Sequence, residues 1–81
     1  MKAFPLGLIS LQVLAQRTGL GVSTLNYYTN IGLLQVVDRK GNRRLYRELD
    51  ALKRIEEIRR LRKEGYPLRI IRKQIQEKRG I

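Results

Sequence analysis

The chain contains no cysteine, no histidine and no tryptophan, and its 81 residues include only two prolines and one phenylalanine. Without cysteine there is no disulfide to staple a small fold, no thiolate metal site and no thiol nucleophile. Without histidine the commonest metal ligand is missing, together with the usual general base near neutral pH. The seven acidic residues are mostly interleaved with basic ones, so carboxylate chemistry has few candidates. The expectation is a protein that is not an enzyme and uses no cofactor or metal. No apolar run is long enough to cross a bilayer, and the opening "MKAFPLGLISL" makes a poor signal peptide with no convincing cleavage site. The composition reads as one soluble intracellular domain, small enough that its core is modest.

What the chain has in excess is positive charge. Eighteen Lys and Arg against seven Asp and Glu give a formal net charge of +11, a field that favours an anionic partner. The charge is unevenly placed. Residues 1–34 carry only Lys2 and Arg17 and no acid, whereas residues 35–81 carry the other 16 basic groups and all seven acids. With 42% hydrophobic residues recurring at regular spacing, the chain is not of disordered composition.

Residues 1–9, with Pro5 and Gly7, read as an N-terminal arm before a domain over 10–79. Leu11, Leu14, Ala15 and Thr18 follow the spacing of a short amphipathic helix, capped by Ser10 or Gln12 and ended by Gly19. After the turn "GLG" a second helix runs from Val22 to about Ile31 and is closed by Gly32. Its Val22, Leu25, Tyr28 and Ile31 fall on one face. Two short helices joined by a glycine-bearing turn make a helix-turn-helix candidate over 11–32. The period then changes: Val36 and Val37 are strand formers, "KGN" signals a turn, and "RRLY" is again half-apolar. Residues 34–46 therefore read as a hairpin, a wing whose tip and return strand carry Arg39, Lys40, Arg43 and Arg44. A long helix over 48–63 shows the stripe Leu49, Leu52, Ile55, Ile58 and Leu61, with Arg54, Glu57 and Arg60 toward water and Glu56 spaced to pair with Arg60. Gly65 stops it. A last helix over 67–78 has Pro67 in its first turn and Leu68, Ile71 and Ile75 as its core face.

Within this plan the stretch "STLNYYTNIGLL" (23–34) holds no charged residue, although 31% of the chain is charged, and it contains two of the four tyrosines. Adjacent residues on a helix point about 100° apart, which puts Tyr28 in the core and leaves Tyr27 outside beside Asn26. An exposed phenol there can donate to a phosphate. A face that reads base edges needs directional donors and acceptors, and a carboxylate on it would repel phosphate.

The segments "LAQRTGLGVSTLNYYTNIGLL" and "GNRRLYRELDALKRIEEIRRLRKEGYPLRIIRKQI" together resemble the DNA-binding domain of the mercury-resistance regulator (MerR) family, from about Leu11 to Ile75. The paired Tyr27 and Tyr28 ahead of "IGLL", the wing end "RRLY" and the long helix ending "EGYPL" carry the likeness. The resemblance implies a mainly α fold with a small β-hairpin: a winged helix-turn-helix followed by two further helices. It implies a sequence-specific transcription regulator on double-stranded DNA, with helix 22–31 in the major groove. Ser23, Thr24, Asn26 and Tyr27 match positions that touch bases or phosphates. Arg43 and Arg44 match the DNA-contacting end of the wing, with Tyr46 bracing it. Arg39 and Lys40 on the wing and Arg69 at the start of the last helix are further DNA-binding candidates. The chain departs from the family at Asn26, where a charged residue, commonly Arg, is usual. Asparagine is suited instead to a bidentate contact with adenine. It also departs at Gly21, where Ser is preferred.

Family members are usually dimers, which implies a homodimer in a full-length context. The end "QEKRGI" lacks coiled-coil heptads, so this chain alone fits a monomer, and no small-molecule effector site is identifiable in it. The expected location is the cytoplasm, on the nucleoid. Two other readings stand beside this one: an architectural or excisionase-like protein that bends DNA, and a basic helical module that docks an acidic protein or RNA.

Overall fold

In a computed structural model, described over residues 7–79, four helices pack around a three-stranded antiparallel sheet. The elements are β1 (Leu8–Ser10), α1 (Leu11–Thr18), α2 (Val22–Asn30), β2 (Asp38–Lys40), β3 (Arg43–Arg47), α3 (Glu48–Lys63) and α4 (Leu68–Arg79). This is the mainly helical, winged helix-turn-helix class that the sequence implied, with one strand more than expected.

Ser10 settles the first cap: its side chain accepts from the Val13 amide at 3.3 Å, and Gly19 ends α1 at φ 76°. The connection to α2 is held by Thr18, whose hydroxyl donates to the Leu14 carbonyl and accepts from the Leu20 amide. Leu25 and Tyr28 are the buried face of α2, while Val22, expected beside them, is 39% exposed. At the far end Gly32 takes φ 90°, and Gly32 and Leu33 donate back to the Thr29 and Tyr28 carbonyls. This double closure needs a left-handed residue. A side chain there would also meet the Gln76 amide, 2.9 Å from where its Cβ would lie.

The sheet has the order β1-β3-β2, so β3 is central. The expected arm at 1–9 is corrected in part: Leu8–Ser10 pair with Leu45–Arg47, and the Glu48 amide extends the ladder to the Gly7 carbonyl. Residues 1–6 of that arm lie outside the described residues. A three-residue strand whose partner is almost forty residues away leaves no local pattern. The first strand of the wing is shifted as well, while the return strand starts at Arg43 as expected. Val36 packs on the core and Val37 makes one ladder bond to the Leu45 carbonyl, but the regular strands are Asp38–Lys40 and Arg43–Arg47.

In α3 the buried row is Ala51, Ile55, Ile58 and Leu61, and Leu49, expected to head the stripe, is 77% exposed. A row read at every third residue drifts by about 60° per step around a helix. The core instead follows mixed steps of four and three. Arg54 and Glu57, expected in water, are mostly covered and pair at 3.1 Å. Arg60 pairs with Glu64 rather than with Glu56. In α4, Ile71 and Ile75 are buried as expected. Pro67 stands just before the helix and accepts from the Ile70 and Ile71 amides. Leu14, Leu25, Leu33, Tyr46, Ile55, Ile58, Ile71 and Ile75 form the centre of a single core.

Two contacts lend themselves to measurement. Thr29 gives its one hydroxyl hydrogen to the Leu25 carbonyl, so Tyr46 is the donor in the 2.8 Å bond between the two hydroxyls. Tyr46→Phe removes that bond alone and should cost about 1 kcal/mol in urea unfolding. Glu57 accepts from Lys78 at 2.6 Å. That hydrogen bond chiefly holds its carboxyl below the usual value, against the opposing effect of burial and with help from the charges of Lys78, Arg54 and Arg60. A lowered folded value means that the stabilisation is present above the ordinary Glu range, about 4.3, and lost as pH falls through the lowered value. Glu57→Gln should therefore be less stable than the parent near neutral pH and equal to it in strong acid. Because the Lys78 side chain is 66% exposed, the gap should stay below about 1 kcal/mol.

Candidate nucleic-acid interface

Helical geometry sorts the residues of α2. Leu25 and Tyr28 face the core, so Ser23, Asn26, Tyr27 and Asn30 share the outward side, with Tyr27 53% exposed. Thr24 stands about 160° around the helix from Asn26 and is half-buried on the other flank. Thr24 is nonetheless one turn from Tyr27 (i,i+3) and is half-buried just as Asn26 is, so the four expected α2 residues share one outward face with Asn26 and Thr24 at its two edges. Gly21 occupies the N-cap without a side-chain bond, so the first amides of α2 open outward beside Ser23.

The wing lies against this face. Alternation along β3 sends Arg44 and Tyr46 toward α2 and Arg43 to the other side. Tyr46 is fully buried, so it meets no outside partner, and its hydroxyl bond to Thr29 fixes the wing to the helix. Arg44 then forks across one turn of α2, donating to Asn26 Oδ1 at 3.2 Å and to Asn30 Oδ1 at 3.1 Å. Asn30 is a functional candidate that the sequence reading passed over. Its i,i+4 spacing from Asn26 is the signal that finds it.

In the hairpin register Arg39 stands opposite Arg44, and Lys40 opposite Arg43. Like charges directly across a sheet destabilise it. Among the described residues none of these four side chains is in an ion pair, whereas Glu48, Asp50, Glu57 and Glu64 neutralise Arg17, Arg47, Arg54, Lys78 and Arg60. The paired acids lie on α3 or at its end, away from α2 and the wing tip. The wing therefore keeps its positive charge.

Two further arginines hold the helix-turn-helix from behind. Arg59 of α3 donates to the Thr18 carbonyl at the end of α1. Arg72 of α4 donates to the Ile31 carbonyl at the end of α2, at 2.7 Å. Cations are favoured at helix carboxyl ends by the exposed carbonyls and the dipole. Arg69 is exposed in the first turn of α4, and none of the described hydrogen bonds or ion pairs joins it to α2 or the wing. The described residues contain no group of three acidic side chains placed to hold a metal ion, and no helix long and apolar enough to cross a membrane.

Residues 9–78 match the family described as MerR HTH family regulatory protein. The chain belongs to the MerR family. It is also 41% identical over 61 residues to the nodulation protein NolA of Bradyrhizobium elkanii, covering 74% of this chain and 27% of that protein. The chain thus spans about a quarter of the length of that curated relative. No solved structure matches it significantly. Membership agrees with the geometry: MerR-type helix-turn-helix domains bind double-stranded DNA.

Proposed function

We propose that this chain is a sequence-reading, double-stranded DNA-binding domain of a transcription regulator, acting on nucleoid DNA in the cytoplasm. In this reading α2 enters the major groove with Ser23, Asn26, Tyr27 and Asn30 toward the bases and near phosphates. The wing grips the flanking backbone through Arg39, Lys40 and Arg43. Thr24, at the edge of the same face beside Tyr27, joins the other α2 residues, and Arg69 is a phosphate contact only where the DNA path reaches α4.

The observation that carries the reading is the hairpin register. Two directly opposed pairs of cations, without carboxylate partners among the described residues, are a repulsion built into the fold. An anionic backbone laid along the wing relieves it. The neighbouring helix face presents hydroxyl and amide groups and no charge, which suits base-edge contacts rather than a purely ionic grip. An acidic protein or an RNA partner would not call for that uncharged face beside the wing. A homodimer on two half-sites is the arrangement proposed wherever the domain is part of a longer protein.

The test is selection of bound duplexes from a randomised pool across a salt series. An enriched motif is expected, with affinity falling steeply as salt rises; a steep fall with no motif would remove the reading role and favour an architectural protein. The symmetry of the motif reports whether two copies bind together. Arg43→Ala should weaken binding to every sequence by the same factor and lower the salt slope by about 0.9. A loss confined to some sequences would show that Arg43 reads bases instead.

A further inference from the structure

Arginine carries five N–H donors and no acceptor. Whatever faces the Arg44 guanidinium on Asn26 and Asn30 must therefore be the carbonyl oxygen of each amide, as found. The orientation of both amides follows from chemistry rather than from a choice between two similar atoms. With the oxygens turned to Arg44, each amide presents its NH₂ group away from the cation. Arg44 has three donors left beside them.

The outer surface at this place therefore presents mainly donors, and the acceptor lone pairs that remain lie beside a positive charge. A bidentate contact between asparagine and adenine needs the opposite arrangement at one atom: the amide oxygen must accept from the adenine amino group. The second lone pair of Asn26 Oδ1 is still open. A base amino group using it would bring its hydrogens against the guanidinium. Releasing Arg44 instead would give up a charge-assisted hydrogen bond for a neutral one. Guanine has none of these difficulties, because its major-groove edge offers two acceptors, N7 and O6, and no donor.

We infer that Asn26 reads guanine rather than adenine, as a donor only, and that Arg44 is the positioning residue that sets this preference, with Asn30 as its second anchor. The inference rests on the proposed placement of α2 in the major groove. It reverses the adenine contact that the asparagine side chain suggests by itself. It also gives Arg44 a part different from that of Arg43, its neighbour on the same strand: Arg43 contributes charge to the grip, and Arg44 sets which base is read.

The experiment is the same pool selection run on the parent chain and on Asn26→Ala, Arg44→Ala, Asn30→Ala and Arg43→Ala. The parent should favour guanine over adenine by about tenfold at one position, the scale of a single good base contact, and Asn26→Ala should erase that preference there alone. Arg44→Ala should bind more weakly and admit adenine at the same position, since the freed amide can then present both its groups. Asn30→Ala, which keeps the charge of Arg44 and removes one anchor, should reduce the preference without abolishing it. Arg43→Ala removes the same charge from the wing and should leave the preference intact. Adenine at the position that Asn26→Ala erases would overturn the inference, as would a guanine preference unchanged in Arg44→Ala. A motif insensitive to Asn26 would sink the inference and leave the DNA-reading function standing. No motif from any chain would remove both.

Discussion

Tyr46 runs from the central strand β3 into the core and ends on Thr29 of α2, hydroxyl to hydroxyl at 2.8 Å. The distance between the wing and the outward face of α2 depends on that contact. Tyr46 is fully buried, and β3 is paired on both sides, by β1 and by β2, so the strand cannot shift along its length without breaking two ladders. Arg44, two residues earlier on the same face of β3, is thereby delivered over Asn26 and Asn30. A register slip of one residue would turn Arg44 and Tyr46 to the far side and leave α2 without either.

The charge distribution follows from the same frame. A chain with a net charge of +11 repels itself when compact, and the described structure places the repulsion unevenly. On α3 and at its contacts with α1 and α4, carboxylates offset arginines and lysines in five ion pairs. On the wing the cations face one another across the strands with no such relief. The ion pairs thus gather in the helical half of the molecule, while among the described residues Arg39, Lys40, Arg43 and Arg44 of the hairpin are left outside them. The arginines are also divided by task. Arg59 and Arg72 are bound to the carbonyls that end α1 and α2, and they fix the angle of the helix-turn-helix. In the proposed reading their part in affinity is indirect. Counting basic residues would have credited them equally with those on the wing.

Much of this organisation is legible along the chain, and what is not has identifiable causes. The ends of α1, α2 and α3 are set by Ser10, Gly19, Gly32 and Gly65, residues whose effect is local and so is visible locally. Leu49 misled because a run of apolar residues at every third position looks like a stripe, although the helix carries such a row off the core. Strand β1 was hidden because its pairing partner is distant and its three residues are too few to show alternation. The hairpin itself was visible in "KGN" and the flanking residues, and its return strand begins at Arg43 as read; its first strand was offset by about two positions because Val36 and Val37 are strand formers used for packing and a single ladder bond.

The candidate site divides along the same line. Residue type alone determined that α2 would be uncharged, that the wing would be basic, that Tyr28 would turn inward and Tyr27 outward, and that chemistry requiring histidine or cysteine was excluded. These are properties of single residues and of helical spacing, and they need no knowledge of what lies across the fold. Only the tertiary structure decided that Arg44 meets Asn26 and Asn30 and that Lys40 faces Arg43. Each depends on the register of a strand against a helix or against another strand. That register is set by how Tyr46, Thr29 and the surrounding core pack together, a relation between distant residues that no local stretch of the chain contains.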